Sequence, residues 1–130
     1  TEGKPALTDV TSFGDVPEDE LLAAAAALER ASEHPLAEAI VEGAKARGLV
    51  PGTAASFEAI NGLGVRAEVG GKRVLVGSRG FLAQQKVDAG RWEERADAWR
   101  AQARTVVYFA VDGTAGGIAA VADPVKEGTP

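Results

Sequence analysis

Val65-Arg66-Ala67-Glu68-Val69-Gly70-Gly71-Lys72-Arg73-Val74-Leu75-Val76 is the stretch whose reading decides how this chain folds. Two strand-like runs, Val65 to Val69 and Lys72 to Val76, flank a glycine pair. A two-residue glycine connection between such runs is a strong β-hairpin signal. The pattern recurs downstream. Thr105 to Val111 is rich in β-branched and aromatic residues, turns at Asp112-Gly113 and returns as Ala115 to Val121. Hairpins pair their strands antiparallel, so the sheet they build is antiparallel. At the other end of the chain, Ala6 to Phe13 reads as a further short strand.

Between that strand and the first hairpin the period changes to that of a helix. Pro17-Glu18-Asp19-Glu20 is a helix start, with proline near the first turn and then acids that suit the positive end of the helix dipole. Leu21, Leu22, Ala25 and Leu28 follow at helical spacing through the alanine run Ala23 to Ala27. Leu36, Ala37, Ile40, Val41 and Ala44 repeat the spacing, and Gly48 closes the second helix. The two form a helical hairpin with Ser32 to Pro35 at its corner. A short helix is expected around Ser78 to Gln85, with Ser78 as its N-cap. A longer one is expected over Arg91 to Arg104, placing Trp92, Ala96, Trp99 and Ala103 on one face. The expected fold is α/β in the broad sense and α+β in the strict one. It is an antiparallel, roughly six-stranded sheet flanked by two helical hairpins, in one domain spanning residues 1–130.

Composition narrows the function. A formal charge of -5 argues against a nucleic-acid partner, though not against a single nucleotide held by local geometry. No apolar run of about 20 residues spans a membrane. There is no cysteine or methionine and only one histidine, so disulfides and a transition-metal site are not expected. Thr1-Glu2-Gly3-Lys4-Pro5 and Asp123 to Pro130 read as loop-like ends of a piece excised from a longer polypeptide.

The single histidine lies in Ser32-Glu33-His34-Pro35-Leu36. Proline disfavours helical dihedrals at the residue before it and is welcome as the first residue of a helix. His34 therefore sits at a corner, either as a satisfied capping ring or as a pinned planar group offered to another flat ring, such as a nucleobase. Glu29 lies near the end of the first helix, where a carboxylate opposes the negative end of the dipole. It is either a solvated surface acid or an acceptor for an exocyclic amine such as adenine N6. Gly62-Leu63-Gly64 is an ordinary turn or a loop that lets backbone approach a flat or phosphorylated ligand. It leads into a strand, so it is not a dinucleotide fingerprint, and no P-loop occurs anywhere. Gly77-Ser78 follows the apolar Val74-Leu75-Val76, and the Ser78 hydroxyl has reach toward a ribose.

These signals run in one order: Glu29 with Ser32-Glu33-His34-Pro35-Leu36, then Gly62-Leu63-Gly64, then Gly77-Ser78, then Ala122-Asp123-Pro124. In that order the chain resembles, over essentially its whole length, the nucleotide-binding domain of a heavy-metal-transporting P-type ATPase of the type IB class. The resemblance implies ATP bound by its adenosine end, with Glu29 near the adenine amino group and His34 orienting the base. It implies close backbone approach at Gly62 and Gly64. Ser78 stands where the family commonly has asparagine, so a hydroxyl replaces an amide toward the ribose or phosphates.

The family's phosphorylated aspartate, magnesium-binding acids and membrane helices are not in this sequence. Catalytic residues are thus expected elsewhere, with Mg2+ acting mainly through the phosphorylation domain. Residues 1–5 and 123–130 resemble the connections to that domain. The implied partners are ATP and ADP and the phosphorylation and actuator domains of the same parent. The implied setting is the cytoplasmic side of an integral inner- or plasma-membrane protein. The domain is expected to be monomeric, to make no membrane contact of its own, and to bind ATP without turning it over. Overall similarity favours monovalent copper as cargo, with zinc or cadmium as the alternative within the class. A non-catalytic interaction or scaffold module is the alternative of a different kind.

Overall fold

The computed structural model of the chain describes residues 6–12, 17–30, 35–50, 52–60, 64–87 and 93–122. Within it, Gly70 and Gly71 take φ of 60° and 82°. That is the left-handed backbone a two-residue hairpin turn needs at both central positions, and glycine adopts it without a Cβ penalty. The turn joins β3 (Gly64–Val69) to β4 (Lys72–Gly77), with Val69 facing Lys72 across it. Asp112 and Gly113 form the equivalent turn between β5 (Arg104–Val111) and β6 (Thr114–Ala122). The Asp112 carboxylate accepts a hydrogen bond from the Arg73 N–H at 3.0 Å, and the Asp112 N–H donates to the Arg73 carbonyl at 2.8 Å. The second turn is thereby tied to the start of β4.

With β1 (Ala6–Ser12) and β2 (Ala54–Ile60), the strands form one antiparallel sheet in the order β1-β6-β5-β4-β3-β2. β2 was not anticipated as a strand. Its register shifts between Ala55 and Glu58, and Ser56 sits at φ 56°. Such a bulge breaks the period of two by which a strand is recognised.

The sheet is covered on both faces. β4 sends Val74 and Val76 to one side and Leu75 to the other, and β5 sends Val107 and Phe109 against Val106, Tyr108 and Ala110. On the first side lie α1 (Glu18–Glu29) and α2 (Pro35–Ala46), with Leu21, Leu22, Leu28 and Ile40 fully buried. On the second lie α3 (Arg79–Gln84) and α4 (Glu93–Ala101), with Phe81, Leu82 and Ala96. Each of the larger apolar side chains stabilises by about 1.5–3 kcal/mol on burial. Strands buried on both faces carry unbroken apolar runs, which is why β4 and β5 read so clearly.

Pro35 is the first residue of α2, as its sequence context predicts. The fourth helix is shorter than the expected Arg91 to Arg104. Ala103 lies beyond its end, exposed and at φ 65°, so it shares no helical face with Ala96 and Trp99. Residues 91 and 92 lie outside the described residues. Among the described residues, no helix is long and apolar enough to cross a membrane.

Candidate functional site

Glu29 is the last residue of α1 and is 8% exposed, which removes the solvated-surface alternative. Its burial follows from how the helix is enclosed. Ala25, Ala26, Ala27, Leu28 and Glu29 are all buried. Five successive residues at about 100° each pass right round a helix, so its last turn is covered on every side. Small alanines let α2 and the sheet close in. No hydrogen bond or ion pair reaches the Glu29 carboxyl among the described residues, and the last turn of α1 carries no basic residue. Desolvation pushes the carboxyl up to about 7.

Gly64 opens β3 and pairs with Gly77 at the end of β4. A Cβ at Gly64 would lie 2.5 Å from the Val76 carbonyl oxygen, 2.7 Å from Phe81 Cδ2 and 2.9 Å from Gly77 Cα. Glycine is thus required here by close packing of α3 over the β3–β4 pair, whatever else its backbone contacts. Ser78 takes extended backbone (φ -80°, ψ 167°), and its Oγ accepts the Phe81 N–H at 3.1 Å. This is the N-cap expected from sequence. It places Phe81, the residue that packs on Gly64, in the first turn of α3.

Gly64, Gly77 and Ser78 share one end of the sheet. At its start, α1 lines a cleft of about 270 Å³ with Val69, Gly70 and Lys72 at the turn of the β3–β4 hairpin, through Glu20, Leu21, Ala23 and Ala24. From Glu20 to Glu29 the helix advances about 14 Å. From Val69 back to Gly64 the strand covers about 16 Å. α1 starts at the hairpin turn, and its length to Glu29 matches that of β3 from the turn to the end where Gly64, Gly77 and Ser78 meet. His34 and Gly62 lie outside the described residues, as do residues 1–5 and 123–130.

A polar cluster that the sequence did not signal adjoins this end. Gly77 pairs with Tyr108, whose buried hydroxyl donates to Glu93 Oε1 at 2.6 Å and accepts from Arg100 Nη2 at 2.8 Å. Arg100 Nη1 also donates to the other Glu93 oxygen at 3.1 Å, and Arg79 of α3 stands 3.5 Å from it. Burial alone would raise the Glu93 carboxyl. Hydrogen bonds from Tyr108 and Arg100 and the charges of Arg100 and Arg79 outweigh it and hold the group below the usual carboxylate value. The cluster ties α3, α4 and β5 together beside Ser78. Its members come from three elements, so no local pattern announces it. Among the described residues, no three acids or histidines converge as a metal site.

Chemically, the end of α1 offers a largely enclosed carboxyl with a raised midpoint, and this end of the sheet offers backbone at a glycine pair and a capped helix start. It suits a flat, uncharged heterocycle better than a polyphosphate. The haloacid dehalogenase-like hydrolase family matches residues 1–130. A copper-transporting P-type ATPase of Rhizobium leguminosarum bv. viciae is 46% identical over 129 residues, 99% of this chain and 15% of that protein. A copper-exporting P-type ATPase of Bacillus subtilis is 44% identical over 127 residues, 98% of this chain and 16% of that protein. The chain thus spans about a sixth of the length of these curated relatives. The crystal structure of the N-domain of HMA6, a copper-transporting P-type ATPase, superposes with a TM-score of 0.75 at 30% identity over 90% of this chain and 97% of that one. A zinc-transporting PIB-type ATPase superposes with a TM-score of 0.82 at 35% identity over 92% of this chain and 19% of that one. The chain belongs to the haloacid dehalogenase-like hydrolase family and, within it, to the N-domains of type IB heavy-metal P-type ATPases.

Proposed function

We propose that this chain binds ATP by its adenosine end and presents the γ-phosphate to the phosphorylation domain of a copper-transporting P-type ATPase. The observation that carries the reading is the 8% exposed Glu29 side chain at the end of α1, without a hydrogen-bond or ion-pair partner among the described residues, together with the meeting of Gly64, Gly77 and Ser78 at one end of the sheet. Glu29 meets the adenine edge and His34 orients the ring. The backbone at Gly62 and Gly64 runs close to the nucleotide, and the Ser78 hydroxyl faces the ribose or phosphates.

The triphosphate has no cradle here and stays free for a separate domain carrying the aspartate nucleophile and Mg2+. The contribution of this domain is positioning: the base end is held, and closure of domains brings the γ-phosphate into line. A few hydrogen bonds and one ring contact support binding of about 4–6 kcal/mol, or roughly mM to tens of μM. Weak binding lets ADP leave between cycles. Residues 1–5 and 123–130 serve as the connections to the phosphorylation domain. The parent is an integral membrane enzyme with this monomeric domain on its cytoplasmic side, beside the phosphorylation and actuator domains.

Amide-shift NMR titration with ATP tests the reading. Wild type should show saturable shifts around residues 29, 64 and 78, and His34→Gln should weaken them several-fold while the rest of the spectrum stays folded. Equal affinity in both forms would remove His34 from the site, and no shifts in wild type would overturn the function. Copper is favoured by the 46% and 44% identical relatives, while the zinc transporter's closer superposition keeps zinc as the second reading. Phosphorylation of the whole protein stimulated by Cu+ but not by Zn2+ would decide between them.

A further inference from the structure

The nucleotide reading leaves open which protonation state of Glu29 meets the base. We infer that Glu29 meets adenine as a neutral carboxylic acid, donating its O–H to ring N1 and accepting the N6 amine on its carbonyl oxygen. The inference rests on the proposed nucleotide site and adds its protonation chemistry.

The surroundings of the group argue for the neutral form. Glu29 is 8% exposed, sits in the last turn of α1, and has no hydrogen-bond or ion-pair partner among the described residues. The carbonyls of a last turn present the negative end of the helix dipole, which opposes ionisation. The strands under α1 turn Val65, Ala67 and Val69 from β3 and Val74 and Val76 from β4 toward it, and Lys72 shares that face of β4 at the hairpin-turn end, where α1 starts. The charged residues of those strands are engaged elsewhere or exposed. Arg66 bonds Glu58 and Gln85, Arg73 is tied to Asp112 through its backbone, and Glu68 and Lys72 are exposed. From α2, Glu42 and Lys45 pair with each other at the surface, and Glu38 is exposed. Asp9 of β1 bonds Arg104. Arg30, next in the chain, is exposed. Desolvation is the one resolved cause of the raised carboxyl, and it places the group's midpoint at about 7.

The chemistry of the base makes the same demand. An ionised carboxylate is an acceptor only, whereas the protonated group gains one donor and keeps its acceptor. Adenine offers a donor at N6 beside an acceptor at N1. A carboxylate facing that edge would set its charge against the N1 lone pair. It would fit guanine better, whose N1–H and N2 amine are both donors. The neutral acid forms two complementary hydrogen bonds with adenine. Above the midpoint, binding must take up one proton from solvent, so acidity strengthens adenine binding.

The test compares ATP affinity of wild type and Glu29→Gln at pH 6 and pH 8 by amide-shift titration. The amide of glutamine supplies the same donor and acceptor without titrating. The titration of the ATP phosphates, common to both proteins, cancels in the ratio. The wild-type affinity relative to Glu29→Gln should fall up to about tenfold from pH 6 to pH 8. A His34→Gln protein should keep that fall, which separates it from titration of the imidazole. A ratio independent of pH would overturn the inference and leave ATP binding standing. Absence of ATP binding at either pH would overturn the nucleotide site and the inference with it. A second measurement needs no variant. The Glu29 side-chain carboxyl carbon, followed by NMR in wild type, should titrate at higher pH with saturating adenosine than without it. A midpoint that falls or stays put on adding adenosine overturns the inference even if Glu29→Gln does not fold.

Discussion

Replacing Glu29 by glutamine should change the stability of the domain in a way that depends on pH, and the size of the change follows from the burial of one carboxyl. The group titrates at 4.5 when solvated and at about 7 in the fold. A raised value means that the folded state holds the proton more tightly than the unfolded chain does. The corresponding stability is fully present below about pH 4.5, declines as pH rises, and is gone above about pH 7. A shift of this size corresponds to about 3 kcal/mol, of which about 2.5 kcal/mol falls between pH 5 and pH 8. Glutamine does not titrate, and every other carboxylate is common to both proteins. Urea unfolding followed by tryptophan fluorescence at the two pH values isolates the term. The stability of Glu29→Gln relative to wild type should improve by about 2–3 kcal/mol from pH 5 to pH 8. A difference that stays the same within about 0.5 kcal/mol would mean that the carboxyl is solvated or paired, and the reasoning from its burial would fail.

Two further substitutions address the other described positions of the site. Gly64→Ala should destabilise by about 1–3 kcal/mol in urea unfolding, because its Cβ falls 2.5 Å from the Val76 carbonyl oxygen and 2.7 Å from Phe81. Wild-type stability in that variant would contradict the packing of α3 on the β3–β4 pair. Ser78→Ala should cost about 1 kcal/mol through loss of the bond to the Phe81 N–H, while Ser78→Asn should retain the cap. Equal losses in both variants would show that the cap does not hold the start of α3.

Local chemistry is enough to read much of this chain. The glycine pair at 70–71, Asp112-Gly113, the Ser78 cap and Pro35 at the head of α2 each depend on a few consecutive residues, and each stands in the structure as its sequence predicts. Where a strand bulges, the local signal is lost, and β2 escaped notice because Ser56 interrupts its alternation. Ala103 falls at helical spacing from Ala96 and Trp99, yet the chain has already turned there. The site divides in the same manner. Sequence order and the family resemblance singled out Glu29, Gly64 and Ser78. Local pattern alone could not say that Glu29 is enclosed, that Phe81 fills the space a Cβ would need at Gly64, or that Tyr108, Glu93 and Arg100 interlock beside Gly77. Turns, caps and helix starts were determined by the sequence because their energies arise within a few residues of the chain. The burial of Glu29 and the upward push on its carboxyl were decided only by the tertiary structure, because desolvation depends on which layers close over a side chain, and those layers come from residues far apart in sequence.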